Sequence, residues 1–381
     1  MRRIQEGAFL SLAVLVLGGC ESPGVANAAG EWRLSEEPHL AIGLAEGEPE
    51  YQFHQIAGVV RLADERIAVA DAGSQQIRIF DRDGRHARTL GGPGDGPGEF
   101  RALASMDHYV GDSLMAFDSR TSRVSIFHPD AGFTRSWTLE SLGRGVFPSH
   151  AFALSDGSIL VTHLRGNMPG DPAGVIRNAA PMVRYSANGE PMNDVAELPG
   201  DEWYRWEDGQ RSGLMSLPFG KRGHVAIHGS TVYVGDAQGF EFRAFDASGE
   251  SLGSVARPVD PIEVTPEDIR RFESARLAGI ADPTARQTAE RMHSDIPYPR
   301  TLPAYASLLT DQGGNLWVEA YEPDPEPAVR WTVIDQGGAV LTSQVAMPRH
   351  FRPHWIEDDF VLGVSRDDLD VEFVHAYRLF R

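Results

Sequence analysis

Apolar and polar residues alternate at period two in short runs along most of this chain, and glycine, aspartate or asparagine cuts each run. Runs of that kind predict antiparallel strands with one half-buried face. The clearest unit begins Ile67-Ala68-Val69-Ala70-Asp71, passes a short turn, and continues Ile77-Arg78-Ile79-Phe80 before ending Asp81-Arg82-Asp83-Gly84. A strand, a turn, an alternating strand and a close of the form aromatic-polar-x-x-Gly recur further on, as in Thr231-Val232-Tyr233-Val234 with Phe242-Arg243-Ala244-Phe245-Asp246-Ala247-Ser248-Gly249. Aligned on Phe80, Phe127, Tyr185, Phe245, Ile334 and Tyr377, six copies are spaced by 47, 58, 60, 89 and 43 residues.

A minimum spacing near 45 suits a four-stranded propeller blade. The pattern therefore predicts an all-β chain, a six-bladed β-propeller of four-stranded antiparallel blades over residues 31–381, with a short helical insertion between blades four and five at about 260–303. The sixth copy stops at Arg381 after its third strand, and Glu31-Trp32-Arg33-Leu34 is similar to outer strands such as Ser136-Trp137-Thr138-Leu139. The N-terminal segment is thus expected to complete the last blade, which pairs strands that would otherwise be exposed edges. The first copy, followed by Gly91-Gly92-Pro93-Gly94-Asp95-Gly96-Pro97-Gly98-Glu99-Phe100, resembles an NHL repeat with its inter-blade loop. The resemblance is to the six-bladed NHL-type propellers of bacterial secreted lipoproteins. It implies a fold and leaves activity open.

In a propeller, the loops from strand four to the next strand one share a face with the loops from strand two to strand three. The extra length falls in those two classes: 91–99, 200–220 and 260–303 in the first, 163–181, 321–327 and 365–370 in the second. Long loops on a rigid scaffold are where binding residues concentrate. Within the longest insertion, Thr265-Pro266-Glu267-Asp268 reads as an N-cap, a first-turn proline and early acids, with Gly279 as a stop, and Asp282-Pro283 opens a second helix. The pair is either a lid over the central channel or a packing ornament on a neighbouring blade.

The N-terminus changes the cellular picture. Met1-Arg2-Arg3, the apolar run Ala8–Leu17 and Gly18-Gly19-Cys20 have the zones of a secretory leader. That run is too short to span a bilayer, which needs about 20 residues. Leu17-Gly18-Gly19-Cys20 resembles a lipobox, and Cys20 is the only thiol, so no intramolecular disulfide forms. The expectation is a leader over 1–19, a lipid on Cys20, a flexible tether over 20–30, and a chain anchored at the outer membrane facing the periplasm or cell surface. A plain leader cut near Ala26–Ala29 is the alternative.

Composition then narrows the partners. The 54 Asp+Glu against 35 Lys+Arg give a formal charge of -19 with no basic stretch, which disfavours nucleic acid. Near the starts of the innermost strands stand Arg101, His150, Lys221, Arg222, His224, Tyr305 and Arg352, with His163 and Arg165 placed to reach the same mouth. These cations in an acidic chain point to an anionic small molecule, a peptide or an envelope protein. Lys221 is the only lysine, which fits a charge clamp and equally fits a composition biased to arginine. Asp71, Asp118 and Asp236 end equivalent second strands and either converge or cap their own turns. There is no H-E-x-x-H, no G-x-S-x-G elbow, and the Gly-rich loop lacks the Gly-Lys-Ser/Thr of a phosphate loop. No cofactor is expected. The leading reading is a binding or scaffold module, and the second is a metal-dependent propeller hydrolase or lyase with ligands gathered from separate blades.

Overall fold

In blades one, four and five, the close that defines the sequence signature is a turn built by one carboxylate and one glycine. Asp81 accepts hydrogen bonds at Oδ1 from the amides of Asp83 (2.9 Å) and Arg85 (2.8 Å), and Gly84 has φ +79°. Asp246 does the same for Ser248 (2.8 Å) and Glu250 (2.9 Å), with Gly249 at φ +87°. Only glycine takes that left-handed backbone without steric cost, which explains why the signature ends on it. The third strand turns into the fourth at these points.

The structure, a computed structural model, describes residues 32–381 apart from 167–172, 209–210 and 324–326. The leader, Cys20 and the tether expected at 1–30 lie outside the described residues. Six antiparallel sheets follow one another along the chain. Blade one comprises Ile56–Arg61, Ile67–Asp71, Gln76–Phe80 and His86–Gly91, and blade two Leu103–Tyr109, Ser113–Asp118, Arg123–His128 and Gly132–Thr138. Blade three comprises Val146–Ala153, Ile159–Arg165, Ala180–Tyr185 and Pro191–Leu198, and blade four His224–His228, Thr231–Gly235, Phe240–Phe245 and Ser251–Arg257. Blade five comprises Ser307–Thr310, Leu316–Glu319, Ala328–Ile334 and Val340–Pro348. Blade six has Phe351–Ile356, Phe360–Arg366 and Glu372–Phe380, and the N-terminal strands Arg33–Leu34 and Leu40–Ile42 both pair with its last strand. The ring closes as the sequence predicts.

The burial of the strands differs from the half-buried expectation, for a physical reason. In blade one, Ile67 and Val69 pack with Leu362 and Val374 of blade six, while Ala68 and Ala70 of the same strand pack with Leu114 and Ala116 of blade two. Alternation here separates two apolar interfaces rather than core from water. The described residues form six apolar clusters, one in each seam between neighbouring blades. Outer strands such as Ser251–Arg257, with water on one side, are mostly exposed.

Two insertions that the sequence reads as loops contain further strands. Gly174–Arg177, from the loop between strands two and three of blade three, pairs with Glu202–Asp208, which pairs in turn with Arg211–Ser216. A loop of each class contributes to this small sheet, so both classes do meet on one face. The helical insertion forms α1 (Pro266–Ala278) and α2 (Pro283–Ser294), with a reciprocal capping box between Thr265 and Asp268 and the C-cap at Gly279.

Candidate functional site

The innermost strands surround the channel, and local irregularities decide which side chains enter it. In blades one, two and three the inner strand carries a bulge at an equivalent point, occupied by Ala57, Ala104 and Ser149. Blade six departs from this. Its bulge lies between Pro353 and Trp355, two positions further along, and the residue in it is His354. A bulge re-aims the side chain it carries. The bulges of blades one to three carry small side chains, whereas that of blade six carries an imidazole on which Arg352 acts.

Arg352 precedes that bulge. It is exposed and has no hydrogen bond or ion pair with another side chain among the described residues. Its charge acts on three groups at once: His354 on its own strand, Glu319 of blade five and His150 of blade three across the channel. Burial, aided by Arg352, pushes His354 down to about 3 and holds His150 below the ordinary imidazole range. Burial also raises Glu319 to about 7, against the opposing pull of Arg352. His150 is solvent-accessible, yet protein stands close enough around it for burial to be the main cause of its shift. Glu319, the last residue of its strand, pairs with Ser307.

A second set lies beside the first. Arg222, just before blade four, likewise has no side-chain partner among the described residues. It acts on His224, which burial, then Arg222 and Arg177, push down to about 4. It also opposes the upward shift that burial imposes on Tyr321. Asp268 of α1 acts on the same Tyr321, so the first turn of that helix stands beside the channel mouth.

Four of the eight cationic and imidazole candidates, His150, Arg222, His224 and Arg352, are therefore brought together here. The other four are engaged elsewhere. Arg101 is paired with Asp95 in the Gly-rich loop, its Nε 2.7 Å from Oδ1. Lys221 donates from Nζ to the carbonyl of Thr301 (2.8 Å) and to its hydroxyl (3.1 Å), fastening the base of the helical insertion. His163 is buried, with Nδ1 3.0 Å from the carbonyl of Pro181 and Nε2 3.3 Å from the Tyr185 hydroxyl. Arg165 donates to the carbonyl of Ala179 at 3.1 Å. Each finds a carboxylate, hydroxyl or carbonyl within its own loop or seam, which sequence position alone does not reveal. Tyr305 is fully buried, and its hydroxyl accepts from the amide of Ala237 (3.0 Å).

The three aspartates cap turns. Asp118 accepts from the amides of Arg101 (2.5 Å), Arg120 (2.9 Å) and Thr121 (2.9 Å). Asp71 accepts from His54 (3.0 Å) and pairs with buried Arg78 at 2.9 Å, and Asp236 accepts from Gln238 (2.9 Å). Among the described residues, no three His, Cys, Asp or Glu side chains gather as a metal site. Sequence reasoning missed His354 and Glu319. The signal for His354 is a histidine in a bulge where the bulges of blades one to three hold Ala or Ser, and it appears only once the register is known. Nothing local marks Glu319.

Comparison with known proteins agrees with this architecture. Residues 49–132 match a family described as a 6-bladed beta-propeller. Over 78 residues, 20% of the chain, the sequence is 30% identical to the RING finger protein nhl-1 of Caenorhabditis elegans, a stretch that spans 8% of that protein's length. With 93% of the chain covered, the fold resembles a member of the DUF4221 family from Bacteroides vulgatus (TM-score 0.52, 10% identity, 99% of that chain). It also resembles a protein from Bacteroides fragilis described as exported (TM-score 0.51, 13% identity, 96% of that chain, 93% of this one). The protein is a six-bladed β-propeller with NHL-like repeats. At these identities the solved structures speak to fold alone.

Proposed function

We propose that the protein is a lipid-anchored, extracytoplasmic binding module that holds an anionic ligand at the mouth of its channel. The observation that carries this reading is the pair Arg222 and Arg352. Most arginines of this acidic chain are paired with carboxylates, carbonyls or aromatic rings, whereas these two stand without a side-chain partner around one opening. Two cations in a partly desolvated site, beside imidazoles held neutral, favour capture of negative charge. The leader-like N-terminus with Cys20 supports anchoring outside the cytoplasm.

Calorimetric titration of the purified full-length protein with inorganic phosphate, citrate and a polyglutamate peptide tests the binding. Arg352→Glu and Arg222→Glu are expected to lower affinity at least tenfold without loss of folding, while Arg101→Gln leaves it unchanged. Equal affinity in all three variants would sink the channel site. Metabolic labelling with a radioactive fatty acid tests the anchor: label that persists in Cys20→Ala overturns it.

A further inference from the structure

A second cavity on the same face has a different chemistry. About 320 Å³ in volume, it lies in the seam between blades five and six and is lined by Arg349, His350, Phe351, Arg366, His375 and Tyr377, with Pro327, Pro348 and Ser365. Among the described residues, its lining is basic, aromatic and polar. Its volume falls at the small end of ligand pockets.

The wall and the cation are both defined. Phe351 and Tyr377 form an edge-to-face pair with centroids 4.9 Å apart, and the His375 ring meets Tyr377 at 6.1 Å. Arg366 donates from Nε (3.1 Å) and Nη2 (2.6 Å) to one oxygen of Glu372, whose other oxygen accepts from the amide of Ile56 at 2.7 Å. Glu372 is buried and holds the guanidinium from behind, so Nη1 has no partner among the described residues. The Nδ1 of His375 is shielded from solvent and makes no hydrogen bond, so the ring has bonding capacity that the protein does not use. A buried polar atom left so is costly.

The cavity between blades two and three gives the contrast. It is of similar size, about 280 Å³, but Glu140 stands in its lining beside Arg144, and its histidine, His163, has a partner at each ring nitrogen. Tyr185 there occupies the repeat position that Tyr377 occupies in blade six. The same architectural seam is thus internally satisfied at its histidine in one place, and in the other leaves the Nδ1 of His375 and the Nη1 of Arg366 without partners among the described residues.

We infer that the cavity between blades five and six binds a small carboxylic acid bearing a ring, the carboxylate on Arg366 and the ring against Phe351, Tyr377 and His375. The site is separate from the channel and does not depend on the channel's ligand. Its test uses sodium benzoate with the full-length protein at neutral pH, followed by saturation-transfer NMR, with sodium acetate and benzyl alcohol as probes of charge and ring alone. Benzoate is expected to bind, each partial probe to bind at least tenfold more weakly, and Arg366→Gln to weaken benzoate about tenfold, as loss of a charge-assisted hydrogen bond does. Because Arg366 also steadies Glu372, His375→Ala, which leaves that pair intact and removes one wall of the ring's pocket, is the second variant and should weaken benzoate as well. Arg352→Gln should leave it unchanged. Absence of transfer, equal binding by acetate, or benzoate binding that survives both cavity variants overturns the assignment. So does benzoate binding lost with Arg352→Gln, because it would move the site to the channel.

Discussion

At Glu319 burial and a neighbouring cation oppose one another, and burial prevails. A carboxyl that holds its proton to about 7 when folded, against 4.5 in the unfolded chain, adds no penalty below pH 4.5 and a growing one as pH rises through that window. Glu319→Gln should therefore match the wild type in stability near pH 4.5 and exceed it near pH 8 by up to about 3 kcal/mol, at about 1.4 kcal/mol per pKa unit. Urea unfolding at several pH values reads this directly, and a constant difference between the two proteins would refute it. The channel histidines act in the opposite sense. His354 and His224, lowered to about 3 and about 4, contribute fully above 6.5 and lose that contribution as pH falls toward their folded values. Two such groups outweigh one carboxyl, so the wild type should weaken on acidification from pH 6.5 to 4. His354→Gln with His224→Gln should flatten that slope. At this scale the sequence was least informative: Arg101 and Arg352 look alike in it, and only the geometry shows that Asp95 occupies one and leaves the other free.

For the elements, the question left open by the sequence was whether the helical pair is a lid or an ornament. α1 buries no residue completely, and its main attachment is Phe272, packed against Phe219 (5.8 Å) and Tyr298 (6.4 Å). Below it, the amide of Leu302 donates to the carbonyl of Ile262 (2.8 Å) and that of Val264 to Arg300 (3.0 Å), forming a narrow neck that Lys221 clips at Thr301. An element with few buried contacts on a fixed neck opens locally at low free energy. Thr265→Ala, which removes the N-cap, should cost the helix about 1 kcal/mol. Hydrogen exchange should then quicken across 265–294 and stay unchanged in the blades, and a uniform change through the chain would contradict this. The caps of α1 and α2 were legible because Thr265, Pro266, Asp282 and Pro283 act locally. The strands at Gly174–Arg177 and Glu202–Asp208 were not, because they complete each other across separate insertions and neither carries its partner nearby in sequence.

Over the whole molecule, the repeat fixes six blades, and the location of the apolar clusters gives them their cooperativity. Every cluster lies between two blades, so no blade holds a core of its own, and the ring is stable only if its ends meet. They meet at one seam. Arg33 and Leu34 pair with Phe380 and Leu379, Trp32 packs on Trp317 at 5.9 Å, and the Arg381 guanidinium lies 4.5 Å from the centroid of the Trp32 ring. Arg381 also reaches Asp358 at 2.7 Å and buried Asp311 at 3.4 Å. Trp32→Ala should then cost about 2–3 kcal/mol, somewhat below the range for a fully buried tryptophan. Arg381→Ala should cost less, and the double variant should fall short of the sum by about 0.5–1 kcal/mol, since stacking on Trp32 is one of the contacts that Arg381 loses. Strict additivity in denaturant unfolding would show that the two termini close the ring independently. Deleting residues 32–42 goes further: it strips Glu372–Phe380 of both N-terminal partners and exposes a long edge strand, so the shortened chain should unfold in a single transition at lower temperature and self-associate. If instead it melted in separate steps, blade by blade, the blades would possess stability of their own, and the account of a ring held together only by its seams would be wrong.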